Sequence, residues 1–366
     1  MPMEIDRRMW RRREWLAAAL AAAAGPAITA PATRPPRLAA GWATERGQQL
    51  GVLTLHAGRV AVQARLDIPT RAHGLWVEPH GTLLSVARRP GDWLLRWHPD
   101  GRALAWCWIE PDRAYNGHVL LSADRRTLYT TETDLSSGQG LIGVRNARSL
   151  EKLAEWPTAG ADPHELLRDA AGRLLVANGG IATRPETGRA KLDLEHMDSS
   201  LVCLDPRHGS LLGQWRLADR RLSLRHLARL ADGTLGIALQ AEHEHLDVKQ
   251  AAPVLALFDG RELRTAPLPD GVSMSGYGGD IAALGNRFAV SSPRAGRVAL
   301  WEADGRPVGH VPLAEACALS STGEQLWSGG RAALLDWTGR GAGQALPLPA
   351  RETLRLDNHW VVLPPA

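Results

Sequence analysis

Short runs of alternating apolar and polar residues, separated by turns that contain glycine, recur along most of the chain. Period-two alternation interrupted by a tight turn predicts β-hairpins. The segment 162–178, DPHELLRDAAGRLLVAN, is representative, because His164 precedes two short apolar runs joined by a glycine turn. Equivalent segments begin at His73, His118 and His226, weaker ones at Asp280 and Cys317, and a last single strand, HWVVLP, at His359.

The spacing of these leading residues predicts the fold class. Successive leaders are 45, 46, 62, 54, 37 and 42 residues apart, and the intervals hold four short apolar runs each. A period of about 40–50 residues with four strands per period is typical of a β-propeller. The polar segment 178–200, inserted between the second and third strands of its unit, accounts for the longest interval.

Six complete units and one divided unit predict an all-β, seven-bladed β-propeller that occupies residues 33–366 as a single domain. Three predicted strands precede the first complete unit, and HWVVLP stands alone at the C-terminus. Pairing of this C-terminal strand with the N-terminal strands completes the seventh blade. We expect this closure because it removes the open sheet edges that favour aggregation.

Residues 1–32 have the pattern of an export signal. Basic residues at 7–8 and 11–13 precede a short apolar stretch at 16–24, and Ala30-Pro31-Ala32 offers a cleavage site. The apolar stretch is shorter than the roughly 20 residues that span a bilayer. RREWL at 12–16 is similar to the twin-arginine pattern. We expect a periplasmic protein exported by that pathway, without a membrane span once mature; an ordinary secretory leader is the alternative.

Composition and motifs argue against several function classes. The chain has 43 Lys+Arg against 39 Asp+Glu, and five arginines with three acidic residues fall within 1–32, so the remainder is close to neutral and gives no reason to expect a nucleic-acid partner. Cys107, Cys203 and Cys317 lie in different units, which argues against a disulfide framework. The sequence has no G-x-S-x-G elbow, no P-loop and no G-x-G-x-x-G after a strand.

Several stretches resemble the DUF1513 family of twin-arginine-signal proteins. They are NGH at 116–118, GLIGVRNA at 140–147, PHELL at 163–167, VANGGI at 176–181, GRAKLDLEHMDSSLVCLD at 188–205, LSLRHLA at 222–228 and SSPRAGRVALW at 291–301. This chain has Arg184 where the family usually has histidine and Ser199 where it has proline. The resemblance implies a propeller-like fold and a periplasmic role near metal acquisition, because members often accompany imelysin-type iron-uptake proteins; it implies no reaction.

The leading residues form the first candidate site. The innermost strand of each blade lines the channel of a propeller, so leaders in one register would form a ring at one channel mouth. The ring comprises His73, His118, His164, His226, Asp280, Cys317 and His359. Imidazoles suit copper, zinc or iron, and an added thiolate favours copper or zinc. A metal site needs only three or four of them, for which the consecutive trio 73, 118 and 164 is our first expectation; a hydrated polar channel without metal is the alternative.

Two polar segments are further candidates. The insertion at 178–200 carries Arg184, Arg189, Lys191 and Asp198, and we expect it to cover the channel, to bind an anionic ligand or to form a solvated hairpin. His243 and His245 would share one face of a strand and form a peripheral metal site. An exposed charged loop is the more ordinary interpretation of that second segment.

Three functions remain open, in order of preference. The first is a periplasmic accessory protein that binds iron or copper, or an imelysin-type metal-uptake partner, at its channel. The second is a protein-interaction scaffold that uses no metal. The third is a propeller enzyme of the metal-dependent lactonase or oxidoreductase kind, which rests on fold analogy alone. No catalytic residue is identified, so the sequence favours binding over catalysis. A haem or iron–sulfur group lacks its C-x-x-C-H or multi-cysteine signature.

Overall fold

The structure of the chain is a computed structural model that describes residues 35–56, 58–181, 193–337, 343–349 and 354–365. Pro36–Ala366 forms one compact unit. The proposed signal at 1–32 lies outside the described residues. Within them, no helix is long and apolar enough to cross a bilayer.

The described residues form seven antiparallel four-stranded sheets arranged in a ring. Blade 1 comprises β28 (Arg355–Val362), β1 (Arg37–Thr44), β2 (Gly47–His56) and β3 (Arg59–Ile68). Blade 2 comprises β4 (Ala72–Val77), β5 (Leu83–Ala87), β6 (Trp93–Trp97) and β7 (Ala103–Trp108). Blade 3 comprises β8 (Arg113–Leu121), β9 (Thr127–Asp134), β10 (Gly140–Asn146) and β11 (Lys152–Pro157).

The remaining blades follow the chain in order. Blade 4 comprises β12 (Pro163–Arg168), β13 (Leu174–Asn178), β14 (Ser200–Leu204) and β15 (Leu211–Trp215). Blade 5 comprises β16 (Leu222–Arg229), β17 (Leu235–Ala241), β18 (Leu255–Phe258) and β19 (Leu263–Thr265). Blade 6 comprises β20 (Ile281–Leu284), β21 (Arg287–Ser292), β22 (Arg297–Glu302) and β23 (Pro307–Pro312), and blade 7 comprises β24 (Leu319–Ser321), β25 (Leu326–Gly329), β26 (Ala333–Trp337) and β27 (Gln344–Pro347).

The predicted ring closure is confirmed. β28 pairs antiparallel with β1, with Val362 opposite Leu38 and Trp360 opposite Ala40. β28 also contacts the first strands of both neighbouring blades, β4 and β24. The C-terminal strand is therefore the innermost strand of blade 1, and the ring has no open sheet edge at this joint.

The core lies between the blades. Each of the seven blade-to-blade interfaces contains a hydrophobic cluster among the described residues. Between blades 4 and 5, for example, Leu175 and Leu201 pack with Leu224 and Ile237, all fully or almost fully buried. Middle strands are buried on both faces, whereas outer strands such as β3 and β23 alternate buried or half-buried with exposed positions. Alternation of apolar and polar residues in the sequence is therefore clearest in the outer strands and weakest in the middle strands.

Two short helical segments interrupt the strands. A 3-10 turn at Leu194–His196 lies in the described end of the insertion, which enters after β13 and returns at β14, as predicted from the repeat spacing. One α-helix, α1 (Leu246–Ala251), follows β17 in the described part of the chain. The sequence did not predict α1, because its six residues carry no long apolar period.

Candidate metal centre in the channel

Five of the predicted leading residues converge at the centre of the ring. They are His73 on β4, His118 on β8, His164 on β12, His226 on β16 and His359 on β28, which are the innermost strands of five different blades. Ring centroids lie 4.4–5.7 Å apart for nine of the ten pairs, including non-adjacent blades. The histidines therefore form one packed cluster rather than a wide ring around an open channel.

Each of these histidines lies in a β-bulge. The pairing register shifts between Ala72 and Leu75, between Tyr115 and Val119, between Pro163 and Leu166, between Leu224 and Leu227, and opposite Ala40 to Trp42, where β28 carries the extra residues. A bulge leaves a residue unpaired and re-aims its side chain. The bulges interrupt the regular pairing of these strands, which explains how the five imidazoles point to a common centre.

Glycine makes the close packing of His73 possible. Gly117 has a φ of 106° in the left-handed half of the Ramachandran plot. A Cβ at this position would lie 2.5 Å from Cδ2 of His73, which is much closer than a carbon–carbon contact allows. The backbone beside His118 thus approaches the His73 ring as only glycine permits.

Nitrogen-to-nitrogen distances within the cluster match those of ligands that share one metal ion. The Nε2 atom of His226 lies 2.9 Å from Nε2 of His164 and 3.0 Å from Nε2 of His359. His73 Nε2 lies 3.4 Å from His164 Nε2. Metal–nitrogen bonds of about 2.0–2.1 Å place neighbouring ligand nitrogens about 3 Å apart in square or tetrahedral sites.

Hydrogen bonding alone cannot satisfy these nitrogens. An imidazole Nε2 carries either one hydrogen or one lone pair. Because His226 Nε2 has two Nε2 neighbours, it can form only one good bond at a time. Further buried ring nitrogens lack a hydrogen-bond partner: Nδ1 of His73, His164 and His226, and Nε2 of His118. Unsatisfied buried polar atoms are uncommon in proteins, and a bound ion takes up one nitrogen of each imidazole that binds it.

One group of four histidines can direct a ligand atom each to a shared point. The ligand atoms of His73, His118, His226 and His359 all lie within 4.8 Å of one another. This group contains two members of the consecutive trio 73, 118 and 164 and adds two from other blades. His164 remains in contact with the group through His73 and His226. The order of the blades does not determine which histidines lie close together, because the centre is narrow enough for histidine rings of non-adjacent blades to contact one another.

Burial sets the protonation of most of the cluster. Burial lowers the pKa of His73, His118, His164 and His226 well below the usual imidazole value, and the charge of neighbouring groups lowers it further. These four imidazoles are therefore neutral near pH 7. The neutral form is the one that binds metal ions.

Asp280 orients the fifth histidine. Burial opposes the charge of His359, but Asp280, with smaller contributions from Glu165 and Asp357, raises the pKa of His359 above the usual value. His359 Nδ1 donates to Oδ2 of Asp280 at 3.2 Å, and the same carboxylate accepts backbone N–H groups of Ile281 and Leu319 at 2.9 Å. A carboxylate that holds one ring nitrogen of a histidine directs the other towards a metal in many metal sites.

Cys317 occupies the sixth leading position, just before β24, without joining the four-histidine group. Its Sγ lies against the backbone of Gly279, where a Cβ would approach it to 3.2 Å. Burial raises the pKa of the Cys317 thiol, and Asp280 and Asp357 add to this effect. The free thiol is thus held in its protonated form. Cys107 and Cys203 are also free, as the sequence predicted; Cys203 is buried, but Cys107 is half-buried on β7.

The insertion is described only at its ends. Arg184, Arg189 and Lys191 lie outside the described residues, so their predicted role in a ligand-binding loop stays a prediction. Asp198 forms ion pairs with Arg216 and Arg220, each at 2.8 Å. Its carboxylate therefore anchors the returning end of the insertion to the segment after β15.

The second polar segment does not form the predicted alternating strand. His243 Nε2 lies 2.9 Å from Oδ2 of Asp219, and His245 stands at the N-terminal end of α1. His243 is half-buried and His245 is exposed, so the two imidazoles lie in different local environments. The segment belongs to a blade connection, closer to the charged-loop interpretation.

Sequence reasoning missed the groups around the cluster. Glu165, next to His164, lies 3.8 Å from Nδ1 of His118 and accepts the backbone N–H of Leu227 at 2.7 Å. Burial raises the pKa of Glu165 to about 8, although the charge of His359 partly opposes this. Asp162 and Arg225 also lie beside the cluster, on the elements that carry His164 and His226. The dipeptides His164-Glu165 and Arg225-His226 were the available signal, since each places a charged residue directly beside a leading histidine.

Replacement of Asp280 by asparagine tests the orienting role of this carboxylate. We expect metal affinity to fall by about 10- to 100-fold, the usual cost of losing such a partner, because the ring of His359 loses its charged acceptor. Competition with a chelator at pH 7.5 measures the change. Asp336→Asn, in blade 7, is the matched control, because the Asp336 carboxylate accepts a hydrogen bond from Gln325 at 2.7 Å and is not part of the histidine cluster. An Asp280→Asn affinity within twofold of the unaltered protein would remove Asp280 from the site.

Solved structures share the architecture at low sequence identity. The hydrazine synthase of Kuenenia stuttgartiensis matches with a TM-score of 0.59 and 14% identity, over 77% of this chain and 89% of that one. A catalytically inactive virginiamycin B lyase from Staphylococcus aureus, solved with quinupristin, matches at 0.57 and 10%, over 81% and 93%. A streptogramin B lyase matches at 0.57 and 12%, over 76% and 83%. At these identities the likeness shows the fold alone.

Family comparison is more specific. No curated protein matches the chain. The model of the family described as protein of unknown function (DUF1513) matches residues 66–363, which include all seven leading residues. The resemblance noted from the sequence motifs is thereby confirmed, and the chain belongs to the DUF1513 family.

Proposed function

We propose that the protein binds one transition-metal ion, copper or iron, at the channel histidines and serves as an accessory to metal uptake in the periplasm. The observation that carries the proposal is the convergence of His73, His118, His226 and His359, whose ligand atoms lie within 4.8 Å of one another. Neutral imidazoles, a narrow buried site and an orienting carboxylate are the features of metal centres in general.

The donor set favours copper or iron over hard cations. All four ligands are imidazole nitrogens, which suit copper, zinc and iron and bind magnesium or calcium poorly. Copper forms the strongest complexes with such sites among divalent first-row metals. The family resemblance supports iron, because members of this family often accompany imelysin-type iron-uptake proteins. The location in the periplasm rests on the sequence pattern of residues 1–32.

Equilibrium binding to metal-free protein tests the proposal. We expect one equivalent of Cu²⁺ or Fe²⁺ to bind, with Mg²⁺ and Ca²⁺ binding at least about 100-fold more weakly, because imidazole is a poor ligand for hard cations. Calorimetric titration and competition with a chelator give the stoichiometry and the affinity. A protein that binds neither copper nor iron, or that binds several ions with equal weakness, would contradict the proposal.

A catalytic role has less support. The described histidines pack closely against one another, with nitrogen distances down to 2.9 Å, an arrangement that suits a shared ion. Likeness to lyases at 10–12% identity concerns architecture only. The alternative of an interaction scaffold that uses no metal is tested separately. For such a scaffold, removal of residues 180–198 should abolish function, whereas His118→Ala combined with His164→Ala should leave function intact.

A further inference from the structure

A second feature borders the histidine cluster: a pocket whose walls carry arginine side chains. The residues that matter for its chemistry are His73, His164 and His226 on one side and Arg88, Arg89 and Arg225 around them. Arg88 and Arg89 follow β5, and Arg225 lies in the bulge of β16. The pocket therefore presents positive charge directly beside neutral imidazoles.

Arg225 is the most unusual of these side chains. Its side chain is 1% exposed, and its Nη1 donates to Oδ2 of Asp162 at 2.6 Å. Its Nε and Nη2 atoms are buried and have no hydrogen-bond partner among the described residues. Leaving buried charged donors without an acceptor is costly, so a native structure calls for a group that accepts from them.

The unpartnered atoms form one edge of the guanidinium. Nε–H and one N–H of Nη2 point in parallel from the planar group, at the spacing of the two oxygens of a carboxylate. Elsewhere in this protein the same edge binds carboxylates, since Nε and Nη2 of Arg71 donate to Asp357 at 2.6 and 2.5 Å. Arg225, which lines the pocket, thus has the donor pair that Arg71 uses in an ion pair still unpartnered.

Local charge also favours an anion. Asp162 accepts hydrogen bonds from both Arg89 and Arg225, so one carboxylate serves two guanidinium groups. The three residues together carry one excess positive charge. Asp357 is engaged with Arg71, and Asp280 holds His359. Neither of these carboxylates forms a bond to Arg225.

The Asp162–Arg225 pair is fixed in place by the backbone around it. Gly179 donates its N–H to the carbonyl of Asp162 at 2.7 Å and accepts from the hydroxyl of Ser223 at 2.8 Å. A Cβ on Gly179 would lie 2.6 Å from Oδ2 of Asp162 and 2.8 Å from Nη1 of Arg225. The backbone therefore fits closely around the Nη1 side of Arg225, and the opposite edge is the one left without partners.

We propose that this pocket binds the carboxylate group of a small organic anion, with Nε and Nη2 of Arg225 donating to its two oxygens beside the histidine cluster. Arg89 adds a second positive charge, and the neighbouring imidazoles can donate to or accept from the rest of the ligand. The site requires no metal, so it stands apart from the proposed metal function. It gives the protein a place for an acidic small molecule next to the channel centre.

Titration of succinate into metal-free protein tests the proposal, after the chelator used for metal removal has been dialysed away and in a buffer without carboxylate or phosphate. Succinamide, its uncharged analogue, and inorganic phosphate are titrated in parallel. We expect succinate to bind with one site, succinamide not to bind, and phosphate to bind more weakly than succinate, since the flat edge of a guanidinium matches a planar carboxylate. Preference for phosphate, or no binding of succinate, would overturn the proposal.

Variants locate the site. Arg225→Gln should weaken succinate binding by about tenfold or more, because it removes two charge-assisted hydrogen bonds. Arg89→Gln, at a less enclosed position, should weaken it several-fold and serves as the second test where Arg225→Gln lowers the yield of folded protein. Arg216→Gln, an arginine paired with Asp198 outside the pocket, is the matched control and should change nothing. Unchanged succinate affinity in folded Arg225→Gln would overturn the assignment, whatever the outcome for metal.

Discussion

Replacing His226 by alanine should weaken the binding of copper or iron by more than about 100-fold, since loss of a ligand exceeds the 10- to 100-fold cost of losing an outer partner. His226 is the most central member of the cluster. Its Nε2 lies within 3.0 Å of the Nε2 atoms of both His164 and His359, and it belongs to the four-histidine group. Chelator competition on folded, metal-free variant and unaltered protein measures the ratio of affinities.

The control for this substitution is His310→Ala. His310 is exposed on β23, an outer strand, and should leave metal affinity unchanged. His226→Asn retains a polar side chain of smaller size and separates loss of the ligand from loss of packing; it should weaken binding as severely as alanine. Equal metal affinity in the unaltered protein and a folded His226 variant would mean that the ion binds elsewhere.

The metal-free protein should lose stability steeply on acidification below about pH 6.5. In the unfolded chain all five channel histidines bind protons below that pH. In the folded protein, burial lowers the pKa of four of them, while His359 and Glu165 have raised pKa values and hold one proton each. Glu165, with its pKa of about 8, is ionised in the unfolded chain above about pH 4.5.

The direction of the pH dependence of stability follows from the number of protons that the unfolded and folded chains bind. Five protons on the unfolded chain against two on the folded one leave three in favour of unfolding, so the free energy of unfolding rises with pH in this window. The limiting slope is about 4 kcal/mol per pH unit. Above pH 6.5 the histidines of the unfolded chain lose their protons while Glu165 keeps its own up to about pH 8, so stability should decline gently there.

Urea unfolding in metal-free buffer at intervals between pH 5 and pH 8 measures this profile. His118→Asn provides the internal comparison, because it removes one histidine that is neutral in the folded state and should reduce the acid slope by about 1.4 kcal/mol per pH unit. A free energy of unfolding that stays constant between pH 5 and pH 6.5 would show that the cluster is not buried and neutral.

The repeat of the sequence was sufficient to predict the architecture. Seven leading residues at intervals of 37–62 residues correspond to the first strands of seven blades, and the solitary HWVVLP segment supplies β28. This worked because the outer strands of a propeller alternate between solvent and core, which leaves a period of two in the sequence. Helix α1 was missed because a six-residue helix leaves no comparable period.

The convergence of the histidines was predictable in part. A common register on the innermost strands brought His73, His118, His164, His226 and His359 together as a hypothesis, and the structure places their rings in contact. The bulges that aim them were not predictable, because a register shift depends on pairing with the neighbouring strand rather than on local sequence. For the same reason the grouping of His226 with His359 across the centre could not be derived from blade order.

Hydrogen-bonded partners that lie far apart in the sequence could not be predicted from it. Asp280 holds His359 across 79 residues, and Asp162 holds Arg225 across 63. Neither contact leaves a local motif, since each joins the ends of different blades. Only the closed ring brings these side chains together.

Anomalous diffraction at the absorption edge of copper or iron, from crystals of protein loaded with one equivalent of the metal, tests the central claim most directly. We expect a single strong peak at the channel centre, about 2.0–2.1 Å from imidazole nitrogens of at least three of the five histidines. A structure of the loaded protein with no anomalous peak among these histidines, or with its peak at His243 and His245 instead, would contradict it.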